Sequence, residues 1–230
     1  MSTAVNQFLF GIYPYIALAV FLLGSLLRFD RDQYSWKSGS SQLLRRRQLV
    51  LGSNLFHIGI LGIFVGHFFG LLTPIQVFDA LGIGHGFKQG MAIVVGGAFG
   101  LMMLVGLTML LHRRLSDPRI RVNSSFSDIL VLLLLYAQLL LGLSTIFISL
   151  GHLDGGEMVK FMNWAQHVVT FRPGAADFVA DVHWIFKAHL FLGMTIFLVF
   201  PFTRLVHIWS APVWYLGRRY QIVRTRMRRA

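Results

Sequence analysis

The chain has 230 residues, 55% of them hydrophobic and only 13% charged, about half the charged fraction of an ordinary soluble domain. It contains no cysteine, which excludes disulfides, iron–sulfur clusters held by this chain and covalently attached c-type haem. The net charge is +12; because the basic residues lie between and after long apolar runs, membrane topology accounts for them and no nucleic-acid partner is expected.

A membrane-crossing helix needs roughly 20 mostly apolar residues. The opening MSTAVNQFLF has no basic stretch ahead of its apolar run, so the first segment is expected to remain as a span rather than be cleaved. Spans are predicted at 8–27, 49–72, 91–111, 129–150 and 184–208. The polar link at 151–183 holds a patch, Glu157 to Thr170, that predicts a helix lying in the membrane interface. Residues 209–230 form a basic tail. The fold class is therefore all-α, a single polytopic domain over 1–230 with five transmembrane helices, surrounded by membrane lipid.

Lys and Arg set the orientation. The first loop carries Arg28, Arg31, Lys37 and Arg45 to Arg47, the third carries Arg113, Arg114, Arg119 and Arg121, and Arg204 and the tail carry the rest of that side's charge. The other side has Lys88, Lys160, Arg172 and Lys187. The positive-inside rule puts the N-terminus outside and the C-terminus in the cytoplasm. A bacterial inner membrane is the expected location.

Nine histidines are present. His85, His112, His152, His167 and His183 fall in loops or at span edges, where solvated or interfacial roles suffice. The other four lie inside spans, where an imidazole is costly unless it faces the protein interior or a cofactor. The second span holds His57 and His67; the fifth holds His189 and His207. Antiparallel packing pairs His57 with His207 near the inner side and His67 with His189 near the outer side. Two imidazoles facing each other can hold one haem iron from both sides, leaving no open coordination position, which suits electron transfer. Two b-type haems are expected.

Spacing supports this in part. On a straight α-helix His189 and His207 are five whole turns apart and share a face, whereas His57 and His67 are roughly 80° off a common face. Pro201 can bend the fifth span between its two ligands. Gly59, Gly62, Gly66 and Gly70 line the second span and admit either a neighbouring helix or a flat macrocycle. Arg114 and Arg204, near the depth of His57 and His207, are candidate partners for haem propionates; Lys187, two residues before His189, is a weaker one.

Stacked haems form an electron path across the bilayer, and the natural donor inside a membrane is a quinol. Lys88, in FKQGM near the level of His67, is placed to hydrogen-bond a quinone oxygen, though an interfacial anchor would use the same residue. The acceptor is expected to be another protein docked on the basic cytoplasmic face. A non-redox membrane anchor with incidental histidines is the alternative class.

Much of the chain also resembles a known family. GIYPYIALAVFLLGSLLRFDRDQYSWKSGSSQLL, SNLFHIGILGIFVGHFFGLLTP, LHRRLSDPRIR, DGGEMVKFMNWAQHVVTF and HLFLGMTIFLVFPFTRLVHIWSAPVWYLGRRYQIVR are similar to the gamma subunits of membrane-bound respiratory nitrate reductases. The resemblance implies a di-haem cytochrome b that oxidises menaquinol or ubiquinol. It implies His67 and His189 on the outer, distal haem and His57 and His207 on the inner, proximal one. It implies Lys88 at the quinol site with Gly66 beside the haem, and Arg114 near the inner propionates. It further implies an iron–sulfur beta subunit and a molybdenum-bearing alpha subunit that reduces nitrate. The stretch QVFDALGIGHGF before Lys88 departs from the family pattern. Related di-haem subunits of sulfur-metabolism and heterodisulfide-type complexes are the nearest alternative.

Overall fold

A computed structural model describes residues 2–36, 43–211 and 217, and among them every regular element is helical. Lys37 and most of the predicted basic tail, including Arg218, Arg219 and the four arginines after them, lie outside the described residues. Five helices are long and apolar enough to cross a membrane: Thr3–Arg31, Arg46–Leu72, His85–Ser116, Phe126–Ser149 and Trp184–Phe202. These are the first to fifth spans.

Local chemistry, more than hydropathy, sets the span ends. The third span starts at His85, six residues before its apolar window opens at Met91, and the fourth is started by a capping box in which Ser125 and Asp128 exchange bonds. Two prolines distort spans, and in each case a distant side chain takes up freed carbonyls. Pro14 has no N–H to offer the Phe10 carbonyl one turn back, and the helix widens into a π turn over Phe8–Ile12. The Phe10 carbonyl instead accepts from the Trp164 indole at 3.0 Å.

Pro201 has a larger effect. The α-helical part of the fifth span ends at Val199, Phe200–Phe202 form a 3-10 turn, Thr203 is extended, and a second 3-10 segment runs over Arg204–Ser210. Arg28 of the first span donates to the Pro201 carbonyl at 2.6 Å and the Thr203 carbonyl at 2.9 Å. The predicted helix to 208 is therefore interrupted, and the expectation that His189 and His207 share one helical face does not hold. Proline removes the donor that would continue the α-ladder, and the arginine stabilises the broken conformation.

The second span packs on the third, the third on the fourth, the fourth on the fifth, and the fifth on the first. The helix expected in the 151–183 link is present as Gly156–Val169 and buries Met162, Trp164, Ala165 and Val168. It lies across one end of the bundle, where Gln166 donates to the Leu71 and Thr73 carbonyls at the end of the second span.

The tightest crossing joins the second and third spans backbone to backbone. A Cβ on Gly106 would lie 2.4 Å from the Phe56 nitrogen, and one on Gly59 would lie 2.7 Å from the Met103 nitrogen. Helices approach this closely only where side chains are missing. Gly106→Leu is expected to separate these spans and destabilise the chain by more than ~3 kcal/mol, beyond ordinary overpacking. Thermal denaturation in detergent checks this; an unchanged midpoint would mean the crossing tolerates a side chain.

Candidate functional site

The second span is far more open than the others. Only 6% of its most apolar stretch is buried, against 22% in each of the other four. Residues 64–69 are all exposed. This uncovered surface includes the face that looks toward the fifth span, and there the two spans meet through side chains: the His67 and His189 rings lie 6.2 Å apart, centroid to centroid, inclined at 45°. Two metal–imidazole bonds of ~2 Å each, plus the half-widths of two rings, put the centroids of opposed axial ligands roughly 6 Å apart. The pair is thus spaced for one metal ion between two imidazoles.

The nitrogens agree with that use. The Ile63 carbonyl, one turn back, lies 2.9 Å from His67 Nδ1, so that nitrogen carries the hydrogen and Nε2 keeps a lone pair. His57 is held the same way by the Ser53 carbonyl at 2.7 Å, and His207 by the Arg204 carbonyl at 2.6 Å. His189 differs: Nδ1 is buried with no partner. An orphaned buried nitrogen costs ~1–3 kcal/mol unless something binds it.

The glycine line of the second span divides by partner. Gly59 and Gly62 are pressed against Met103 and Phe99 of the third span, which is ordinary helix packing. Gly66 and Gly70 have nothing within 4 Å of where a Cβ would sit, although they flank His67. Space for a flat group therefore lies beside the histidine pair. Among the described residues no three metal-ligating side chains converge, but a macrocycle supplies four donors itself and asks only two imidazoles of the protein. The residues at His67 and His189 fit a b-type haem.

His57 and His207 are both exposed, and among the described residues no ring contact joins them. His207 sits on the 3-10 segment beyond Pro201, so its position depends on what fixes that segment. Arg204, whose carbonyl orients the His207 ring, lies 3.5 Å from one oxygen of Asp128; Arg114 lies 3.4 Å from the other. The two propionate candidates therefore share one buried carboxylate. Two guanidinium charges against one carboxylate leave an excess positive charge there, the sign an anionic propionate needs.

At the His67 end, Lys88 is 4% exposed, which separates it from a lipid-facing anchor. Its ammonium donates to the Gly70 carbonyl at 2.9 Å and to Met162 Sδ at 2.7 Å, and stands 3.8 Å over the Phe78 ring. Gly70 is three residues from His67, so Lys88 is tied to the open side of the histidine pair. Lys187 donates to the Ala180 carbonyl.

Residues 6–226 match the family model described as nitrate reductase gamma subunit. The chain belongs to that family. It is 56% identical to the respiratory nitrate reductase 1 gamma chain of Escherichia coli, over 96% of this chain and 98% of that protein. It is 41% identical to the nitrate reductase gamma chain of Bacillus subtilis, over 96% and 99%. A more distant relative, the Hdr-like menaquinol oxidoreductase cytochrome b-like subunit of Archaeoglobus profundus, is 31% identical over 91% of this chain and 60% of its own length. The gamma chain described here is a multi-pass protein of the bacterial inner membrane and a subunit of a respiratory nitrate reductase, working with other subunits of that complex.

Several residues of this gamma chain's site were not singled out from sequence. Asp128 belongs to a readable capping motif, SFSDIL, but nothing local shows that two arginines converge on it. Arg28 looks like one more topological charge until its carbonyl partners are seen. Gln138 was legible by the logic applied to the histidines: it is a lone amide in the apolar run LLLLYAQLLLG. The five remaining histidines have local roles, such as His183, which caps the fifth span by accepting from the Ile185 N–H.

Proposed function

We propose that this subunit oxidises quinol near the outer face of the membrane and passes the electrons through two b-type haems to partner subunits on the cytoplasmic side. The observation that carries this reading is the 6.2 Å pairing of His67 with His189 beside the open flank of Gly66. In the proposed assignment these two histidines hold the outer haem, and His57 and His207 hold the inner one. Bound haem supplies reversible one-electron transfer, so the two electrons of each quinol leave singly.

The chain's own residues do the rest. The carbonyls of Ile63, Ser53 and Arg204 hold three of the imidazoles in the tautomer that leaves Nε2 free. Arg114 and Arg204 neutralise propionate charge, and Asp128, paired with both, keeps the two side by side. Lys88 has three ammonium donors; one turned to a quinol oxygen fixes the head group beside the outer haem. Both menaquinol and ubiquinol carry such an oxygen.

The charge asymmetry supports an outer N-terminus and a cytoplasmic C-terminus. An iron–sulfur beta subunit docked on the basic cytoplasmic face, relaying electrons to a molybdenum-bearing alpha subunit, completes the path. The heterodisulfide-type alternative rests on a relative that is 31% identical, against 56% for a nitrate reductase gamma chain. A relative named as a menaquinol oxidoreductase cytochrome b-like subunit supports quinol and haem chemistry under either partner.

The test uses membranes carrying the assembled complex. A reduced quinol analogue is expected to reduce the haem in the intact chain, and nitrate to reoxidise it. Lys88→Met should retain both haems while raising the quinol KM roughly ten- to a hundredfold, the worth of one charge-assisted hydrogen bond. Unchanged KM and inhibitor affinity would remove Lys88 from the quinol site; failure of quinol to reduce the haem at all would overturn the reading.

A further inference from the structure

Gln138 lies in the middle of the fourth span, and its side-chain amide meets the His189 ring: Gln138 Nε2 and His189 Nε2 are 3.4 Å apart. The two spans interlock around this contact. A Cβ on Gly142, one turn after Gln138, would fall 2.9 Å from the His189 ring, and a Cβ on Gly193, one turn after His189, would fall 3.1 Å from the Gln138 amide. Each polar side chain thus fills the slot left by a glycine on the facing helix. Such reciprocal seating fixes the amide and the imidazole against each other.

Two buried atoms at this contact have no partner: Gln138 Oε1 and His189 Nδ1. An amide presents either its NH2 or its carbonyl in the same space, because the two ends have the same shape. The choice decides the state of the imidazole. With NH2 toward His189, the facing ring nitrogen must accept, so the hydrogen sits on the other nitrogen, which then has no lone pair for a metal. With the carbonyl toward His189, the facing nitrogen donates its N–H, and the buried Nδ1, which has no hydrogen-bond partner, is left with a free lone pair.

We propose that Gln138 is a positioning residue for the outer haem: its amide carbonyl accepts the N–H of His189, fixes the tautomer that can bind iron, and raises the basicity of that ligand. This rests on the reading of His189 as a haem ligand. It gives the outer pair two different supports, a backbone carbonyl for His67 and a side-chain amide from a third helix for His189. The amide is the one support of the pair that substitution can remove. A hydrogen bond to the far nitrogen of an axial imidazole makes it a stronger donor, which favours ferric iron and lowers the midpoint potential.

The experiment is a redox titration of both haems in membranes carrying the assembled complex, followed optically and by low-temperature EPR. Gln138→Met keeps the shape and removes the acceptor; the outer haem is expected to shift to higher potential with an altered low-spin signal, while the inner haem stays unchanged. Gln138→Glu keeps an acceptor oxygen and strengthens it; the outer potential is expected to fall. Opposite shifts confined to one haem would not come from loosened packing alone. If the Met variant fails to hold its outer haem, the Glu variant decides by itself. An outer potential that is unchanged or raised in Gln138→Glu overturns the proposal. His67→Ala separates the two levels: if that variant keeps both haems, the ligand assignment itself fails, whereas loss of one haem there with an unmoved potential in the Gln138 variants refutes only the role of Gln138.

Discussion

His67→Ala is expected to leave each chain with one haem instead of two and to abolish haem reduction by quinol. The reason is geometric. His67 is the only contribution of the second span to the 6.2 Å ring pair, and the surface around it is open rather than packed. Among the described residues no third metal-ligating side chain converges there to substitute for it. Losing a supporting hydrogen bond to a metal ligand costs 10–100-fold in affinity, so losing the ligand itself costs more than ~100-fold and empties the site. Because His67 is exposed, alanine there removes little packing. The helical bundle is expected to persist, with the second span still held on the third through Gly59 and Gly106. Pyridine haemochrome quantitation and quinol-driven reduction in membranes check both parts. Two haems per chain in this variant would refute the pairing.

His207→Ala has a different signature. The inner haem is expected to be lost, with quinol still reducing the outer one. Addition of nitrate then fails to reoxidise it, because the path to the partner subunits is cut. Quinol-dependent nitrate reduction falls by more than ~100-fold, while reduction driven by an artificial donor that feeds the partner subunits directly is unaffected. The structure adds a reason for sensitivity at this end. His207 lies outside the fifth span's α-helix, on a segment held by Arg28 on one side and by Asp128 through Arg204 on the other. The place of His207 depends on those contacts rather than on helix periodicity. Stopped-flow spectroscopy with sequential addition of quinol and nitrate checks the prediction; nitrate-dependent reoxidation at the normal rate would contradict it.

The contrast between the two pairs explains what was legible in the sequence. Five apolar windows announced five spans, because lipid imposes length and hydropathy on any helix that crosses it. The intramembrane histidines stood out for the same reason: burial in hydrocarbon makes polar residues conspicuous. Alternating span direction predicts their depth order, and the His67 and His189 rings lie 6.2 Å apart. Periodicity failed at Pro201. The sequence contained the proline, but the extent of unwinding depends on Arg28, which lies 173 residues away and supplies the donors that stabilise it.

The glycines show a second limit. Gly59, Gly62, Gly66 and Gly70 read as one line, and sequence alone offers two uses for it. The structure divides the line, with two glycines under the third span and two facing open space beside His67. That division depends on where the third span crosses, which is fixed by Phe99, Met103 and Gly106 on the partner helix. Likewise, Arg114 and Arg204 were placed by depth, but Asp128, which joins them, is visible only when the fourth span's first turn is set between them.

In the proposed assignment four histidines hold two haems. The most direct measurement is a dithionite-reduced minus oxidised spectrum of the purified complex, with haem quantified per gamma chain. Bands of b type and two haems per chain are expected if this assignment is right. A colourless subunit, or a stoichiometry of one, would contradict it.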